Sequence, residues 1–148
     1  MTRNEDTGTE NINGSIAKRK KNDMQNRLNM MNENSDAIFV SVHLNKFTTS
    51  AARGAQVFYT PNFDAAEDLG DCIQSSIISL LQPENTRVIK RGTSSTYLLK
   101  NATVPAVIVE CGFLSNSIDL ANLKTDNYQS KMAFSITEGI RNFLESEG

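Results

Sequence analysis

Apolar positions in this 148-residue chain fall into short continuous runs separated by longer stripes. Ala37-Ile38-Phe39-Val40 and Ala106-Val107-Ile108-Val109 are unbroken and rich in β-branched side chains. An unbroken run, unlike an alternating one, predicts a strand covered on both faces, as in a parallel sheet. The first predicts a strand over 37–43. Gln56-Val57-Phe58-Tyr59-Thr60 predicts another, closed by Pro61, and Tyr97-Leu98-Leu99 a short one. Between these runs the period lengthens. Ile16, Met24, Leu28 and Met31 recur at near-helical spacing and predict a helix over 15–34. Asn62 suits an N-cap; after it Leu69, Ile73, Ile77, Leu80 and Leu81 share one helical face until Pro83 stops the helix. A short helix is expected over 117–124. Tyr128, Met132, Ile136, Ile140 and Phe143/Leu144 form an i, i+4 stripe that predicts the last helix, over 126–146. Residues 46–53 and 84–95 read as polar loops, and 1–14, with Gly8 and Gly14, as a flexible segment. Strands alternating with helices place the chain in the α/β class: one domain, a mostly parallel sheet flanked by helices.

Composition changes this picture little. A formal net charge of −2 leaves no electrostatic footprint for nucleic acid, so no nucleic-acid partner is expected. The basic run Lys18-Arg19-Lys20-Lys21 reads as a solvated helix face. No apolar stretch approaches the roughly 20 residues that span a bilayer, and Met1-Thr2-Arg3-Asn4-Glu5-Asp6 has no signal-peptide core. Cys72 and Cys111 are too few for a disulfide framework and lie in no CxxC pattern.

Chemistry concentrates at two strand ends. His43 is the single histidine, and it closes the first strand as Ser41-Val42-His43-Leu44-Asn45. Glu110 closes the strand that begins at Ala106. In a parallel sheet the carboxyl ends of strands share one rim, so the two side chains can converge. Gly112 beyond Glu110 permits close backbone approach or a positive φ. An imidazole metal ligand beside a glutamate base is a pairing used in metal-assisted hydrolysis. A cysteine-nucleophile reading pairs Cys111 with His43, but alternation turns Cys111 to the face opposite Glu110. A histidine-based zinc site takes three or four protein ligands, so His43 cannot form one alone.

Four blocks carry a resemblance: Ser41-Val42-His43-Leu44-Asn45; Gly54-Ala55-Gln56-Val57-Phe58-Tyr59; Tyr97-Leu98-Leu99-Lys100; and Pro105-Ala106-Val107-Ile108-Val109-Glu110-Cys111-Gly112-Phe113-Leu114-Ser115-Asn116. Together they resemble the zinc-dependent N-acetylmuramoyl-L-alanine amidases, most closely the branch that acts on the spore cortex in muramic lactam formation and germination. The resemblance implies hydrolysis of the amide joining N-acetylmuramic acid to the L-alanine of the stem peptide. It implies zinc held by two histidines and a glutamate, with water in the open position. On this chain His43 matches the second zinc histidine and Glu110 the catalytic glutamate. Asn45 matches a polar residue of the site rim and is assigned to substrate binding. Peptidoglycan is the implied partner, and the cell wall or spore cortex the implied location.

The departures from the family are equally specific. The first zinc histidine of the family lies in a glycine-rich turn after the first strand, and the zinc glutamate on the helix that follows. Neither block is found here, and Thr2-Arg3 resembles the family's pair at the end of its second strand. A domain lacking the first strand and first helix is therefore expected, with one of three zinc ligands present. Glu5, Asp6 and Glu10 sit on no recognisable ligand helix. An uncovered strand edge would favour self-association. Two other readings stand beside the enzyme: a wall-binding module whose loop cations Arg87, Lys90 and Arg91 contact peptide carboxylates, and a remnant with no ligand.

Overall fold

The computed structural model describes residues 15–93 and 96–146. The expected flexible segment 1–14, with Thr2, Arg3, Glu5, Asp6 and Glu10, lies outside them. The first helix, α1 (Ile16–Asn32), is capped by Ser15, whose hydroxyl accepts from the Lys18 amide. Strand β1 (Phe39–Asn45) and strand β2 (Gln56–Tyr59) follow, then helix α2 (Asp64–Leu80). Next come a two-residue strand β3 (Lys90–Arg91), helix α3 (Tyr97–Asn101), strand β4 (Ala106–Phe113), and helices α4 (Ser117–Leu123) and α5 (Asp126–Ser146).

The four strands lie in the order β1-β4-β2-β3. β1 pairs parallel with β4, and β2 parallel with β3, while β2 runs antiparallel to β4. The expectation of a mostly parallel sheet holds for two of the three pairings. The unbroken apolar runs are covered on both faces as their composition required. One face carries the larger core, where Val57, Val107 and Val109 meet Leu69, Ile73 and Ile77 of α2 and Met132, Ile136 and Phe143 of α5. The other carries a smaller cluster of Leu28 and Met31 from α1, Leu98 and Leu99 from α3, and Ala106. Gly139 lets α5 approach α2: a Cβ there would meet the Cα of Ile73 at 2.4 Å. The lower half of the α5 stripe is Phe143, buried, while Leu144 is exposed.

Three expectations fail, each for a local reason. Tyr97-Leu98-Leu99 is helical, with Asn101 donating back to the Tyr97 carbonyl at 2.7 Å. Leu98 and Leu99 fill the space under α1, and so short an apolar run does not distinguish helix from strand. Asn62 does not cap α2: Phe63 occupies that position without a side-chain bond, and Asn62 Nδ2 instead donates to the carbonyls of Lys100 and Ala102. Lys90 and Arg91, read as loop, form an edge strand beside Phe58 and Tyr59.

Candidate active site

Parallel pairing of β1 and β4 sets His43 directly opposite Glu110. Neighbouring strands are about 4.8 Å apart, so both side chains rise from the same rim and the same face. Beyond this pair the register slips: Asn45 meets Phe113, leaving one extra residue on β4. Such a bulge bends the strand and re-aims its side chains. Gly112 lies in it with φ +156°, and a Cβ there would come within 3.1 Å of Asp119 Oδ2. Asp119, buried in the first turn of α4, accepts from the amides of Phe113 (2.8 Å) and Gly54 (2.9 Å). That carboxylate ties the end of β4 to the approach to β2. It escaped sequence reasoning because its partners lie in distant segments.

Glu110 is half-buried, and its Oε2 is enclosed without a hydrogen-bond partner. Burial pushes the carboxyl above the ordinary carboxylate range, with the neighbouring His43 pulling the other way. His43 is exposed, and its Nε2 lies 2.8 Å from the Ser41 hydroxyl, two residues back on the same face. A ring nitrogen held in this way leaves Nδ1 for another partner. Ser41 was legible in the sequence as the i, i−2 neighbour of His43, but only packing shows the bond. Asn45 is not among the residues lining their groove; its Oδ1 accepts from the Lys46 amide and its carbonyl from the Leu114 amide. Cys111 points into the larger core, and burial first, then the Glu110 charge, push its thiol up to about 12. No thiolate forms there at neutral pH, which removes the cysteine-nucleophile reading.

His43, Glu110 and Ser41 open into a groove of about 1090 Å³ between β1, α1 and α3, with Met24, Arg27 and Tyr97 on its walls. The chemistry of the donor set suits zinc in kind, an imidazole beside an unpartnered carboxylate oxygen. It does not suit zinc in number: among the described residues no group of three His, Cys, Asp or Glu side chains could hold a metal. The described residues therefore do not make a zinc site by themselves.

The three loop cations separate. Arg91 sits beside Tyr59, which bonds it, at the far end of β2. Lys90 is exposed on the same edge. Arg87 alone reaches the rim, stacking 4.7 Å over the ring of Phe113.

A model of the N-acetylmuramoyl-L-alanine amidase family, type 3, matches residues 1–142. The chain belongs to this family. It is 33% identical over 150 residues to the germination-specific N-acetylmuramoyl-L-alanine amidase of Bacillus subtilis (strain 168), covering all of this chain and 62% of that one. It thus spans less than two thirds of that curated relative's length. The amidase LytC of the same species is 30% identical over 118 residues, 78% of this chain and 23% of LytC. Among solved amidases, CwlD of Clostridioides difficile, in complex with the GerS lipoprotein, superposes with a TM-score of 0.90 at 35% identity, over 98% of this chain and 74% of CwlD. The shared amidase fold accounts for the single α/β domain seen here, a sheet with helices on both faces.

Proposed function

We propose that this chain acts on the peptidoglycan stem, at the amide between N-acetylmuramic acid and L-alanine, with Glu110 as general base and His43 as a metal ligand. The observation that supports the reading is the register pair itself. Glu110 stands beside the single imidazole at a sheet rim, with a buried carboxylate oxygen that nothing in the fold satisfies. Amide hydrolysis needs a base that takes a proton from water as it attacks and returns it to the departing amine. A carboxyl raised by burial holds that proton more readily than a solvated one. Zinc in this family would polarise the carbonyl and acidify the water. The resemblance implies three zinc ligands, and His43 is the only histidine of the chain.

The shortage of ligands favours a second reading, a module that keeps the cleft and binds muropeptides without turnover. Cell-wall or spore-cortex location and a germination role follow from the relatives and belong to the proposal. So does self-association through the outer edge of β1, where Val42 and Leu44 are about half exposed.

One preparation tests both readings. Peptidoglycan incubated with the chain should release new L-alanine amino termini, slowly where elemental analysis finds well under one zinc per molecule, and release should stop in Glu110→Gln. Muropeptide binding with no release at any zinc level would overturn the hydrolytic reading and leave the second, and efficient cleavage would remove the second.

A further inference from the structure

A second cleft, of about 570 Å³, is lined by neither His43 nor Glu110. It lies between the loop before β2, the loop after α2 and helix α4. Its size falls within the range of small-molecule sites, about 300–1000 Å³. Leu81, Pro83 and Ile118 give it apolar lining, and Gln82, Asn85 and Tyr128 polar lining. These neutral polar groups satisfy one another. Gln82 Oε1 accepts from the Ala55 amide and from Asn85 Nδ2, both at 2.8 Å, and Gln82 Nε2 donates to the Tyr128 hydroxyl at 2.6 Å. Asn85 Oδ1 accepts from the Arg87 amide at 3.0 Å. None of them calls for a ligand.

Two charged groups of the same lining differ. Arg87 donates through Nη1 to Gln56 Oε1 at 2.9 Å and through Nε to the Arg53 carbonyl at 2.7 Å, and its guanidinium lies 4.7 Å over the Phe113 ring. Its Nη2 has no hydrogen bond to another described residue. Asp119 is 7% exposed, and its Oδ2 accepts from the amides of Phe113 and Gly54. Its Oδ1 accepts from no described residue. That oxygen is not sealed in, since Glu110 Oε2 is the one enclosed and unpartnered side-chain oxygen among the described residues. Both groups are anchored to Phe113, Arg87 on its ring and Asp119 on its amide, yet no ion pair joins them. Each is fixed by its own bonds, so neither swings over to neutralise the other. Opposite charges held near but apart complement a ligand that carries both charges on neighbouring atoms, and their preorganisation leaves little rotamer freedom to be lost.

We propose that this cleft is a binding site for a free α-amino acid with an apolar side chain. The carboxylate takes Arg87 Nη2, and the exposed Arg53 adds a second positive charge to the cleft. The ammonium takes Asp119 Oδ1, and the exposed Glu84 adds a second negative charge. The side chain covers Leu81 and Ile118, the latter 55% exposed. The N-terminus of a peptide brings only an ammonium and the C-terminus only a carboxylate. The paired charges therefore select the single amino acid over either end of a chain. The site is separate from the groove of His43 and Glu110 and stands whatever that groove hydrolyses.

The test is a titration of the full chain with L-leucine, followed by amide NMR. L-leucine should bind saturably and shift the amides of Gly54 and Phe113, which bond Asp119. N-acetyl-L-leucine lacks the ammonium and L-leucinamide the carboxylate. Each should bind about tenfold or more weakly, the range of a charge-assisted hydrogen bond. Arg87→Gln should weaken L-leucine by a similar factor and leave L-leucinamide unchanged. Asp119→Asn keeps an oxygen for the two backbone amides and puts an NH₂ donor where Oδ1 stood. It should weaken L-leucine and leave N-acetyl-L-leucine unchanged. Arg91→Gln, at the far end of β2, should alter no affinity. No saturable binding at millimolar L-leucine would overturn the assignment. So would equal affinity for the three ligands, shifts confined to the groove of His43 and Glu110, or loss of binding in Arg91→Gln. The three-ligand comparison on the unmodified chain decides the matter even if a variant unfolds, and its failure leaves the hydrolytic reading untouched.

Discussion

Glu110 is in tension with the fold that carries it. Its Oε2 is enclosed and unpartnered, and burial raises the carboxyl above its ordinary value of 4.5. A carboxyl raised on folding binds more protons folded than unfolded. Stability therefore falls as pH climbs from the unfolded value, near 4.5, through the raised folded value, and the full penalty is present above the latter. Glu110→Gln removes the charge while keeping the shape. It should stabilise the chain at pH 7 by on the order of 1 kcal/mol, with the gain disappearing below about pH 4.5. Thermal melts from pH 4 to 8 check this, and a destabilised variant at pH 7 would contradict it. Any amidase activity of the chain should be lost in the same variant. A buried carboxyl kept without a partner marks a candidate functional site. Glu110 does not close its strand, since β4 runs on to Phe113, but that it follows a buried apolar run was legible in the sequence. The missing partner of Oε2 was not, because it depends on what every neighbouring element fails to offer.

Helices α2 and α5 form the principal layer of the domain, and their closeness rests on Gly139. A methyl group at that position would sit 2.4 Å from the Cα of Ile73 and 2.9 Å from the Cys72 carbonyl oxygen, both backbone atoms that cannot swing aside. Gly139→Ala gains helix propensity of about 1 kcal/mol but must push the helices apart. We expect a net loss of roughly 2–3 kcal/mol, seen as a lowered denaturant midpoint with little change in m-value. A neutral or stabilising substitution would show that the two helices separate freely. The stripes of both helices were plain in the sequence because a period of 3.6 residues survives any arrangement of neighbours. The helical nature of Tyr97–Asn101 was not, since five residues carry too little period and the space beneath α1 decides their conformation.

Across the molecule the sheet is closed unequally. β3 is only two residues long and bears Lys90 and Arg91, charges that discourage further pairing. β1 is seven residues long, and its outer edge has no partner strand among the described residues. Val42 and Leu44 stand on it at 58% and 51% exposure. We expect the chain to self-associate at this edge, with Val42→Lys weakening association by about tenfold or more. Sedimentation velocity over a range of concentrations measures both, and a monomer at every concentration would rule the edge out as an interface. This edge and the groove beside it adjoin His43, so association and ligand binding should compete or cooperate.

Periodicity and composition, read along the chain alone, determined the α/β class, the helices α1, α2, α4 and α5, the strands β1, β2 and β4, and the candidacy of His43 and Glu110. These are properties of local order, and local order is what a sequence displays. Tertiary structure decided the rest. It placed β2 antiparallel and so set Gln56 opposite Glu110, with Arg87 bonded to its side chain. It separated Arg87 from Lys90 and Arg91, equivalent cations until the strands paired. It turned the Asn45 side chain to its own loop, gave Ser41 to His43, and left Glu110 with an oxygen that nothing satisfies. Each of these outcomes joins residues tens of positions apart or depends on a contact that is absent, and neither is encoded in the pattern of any one segment.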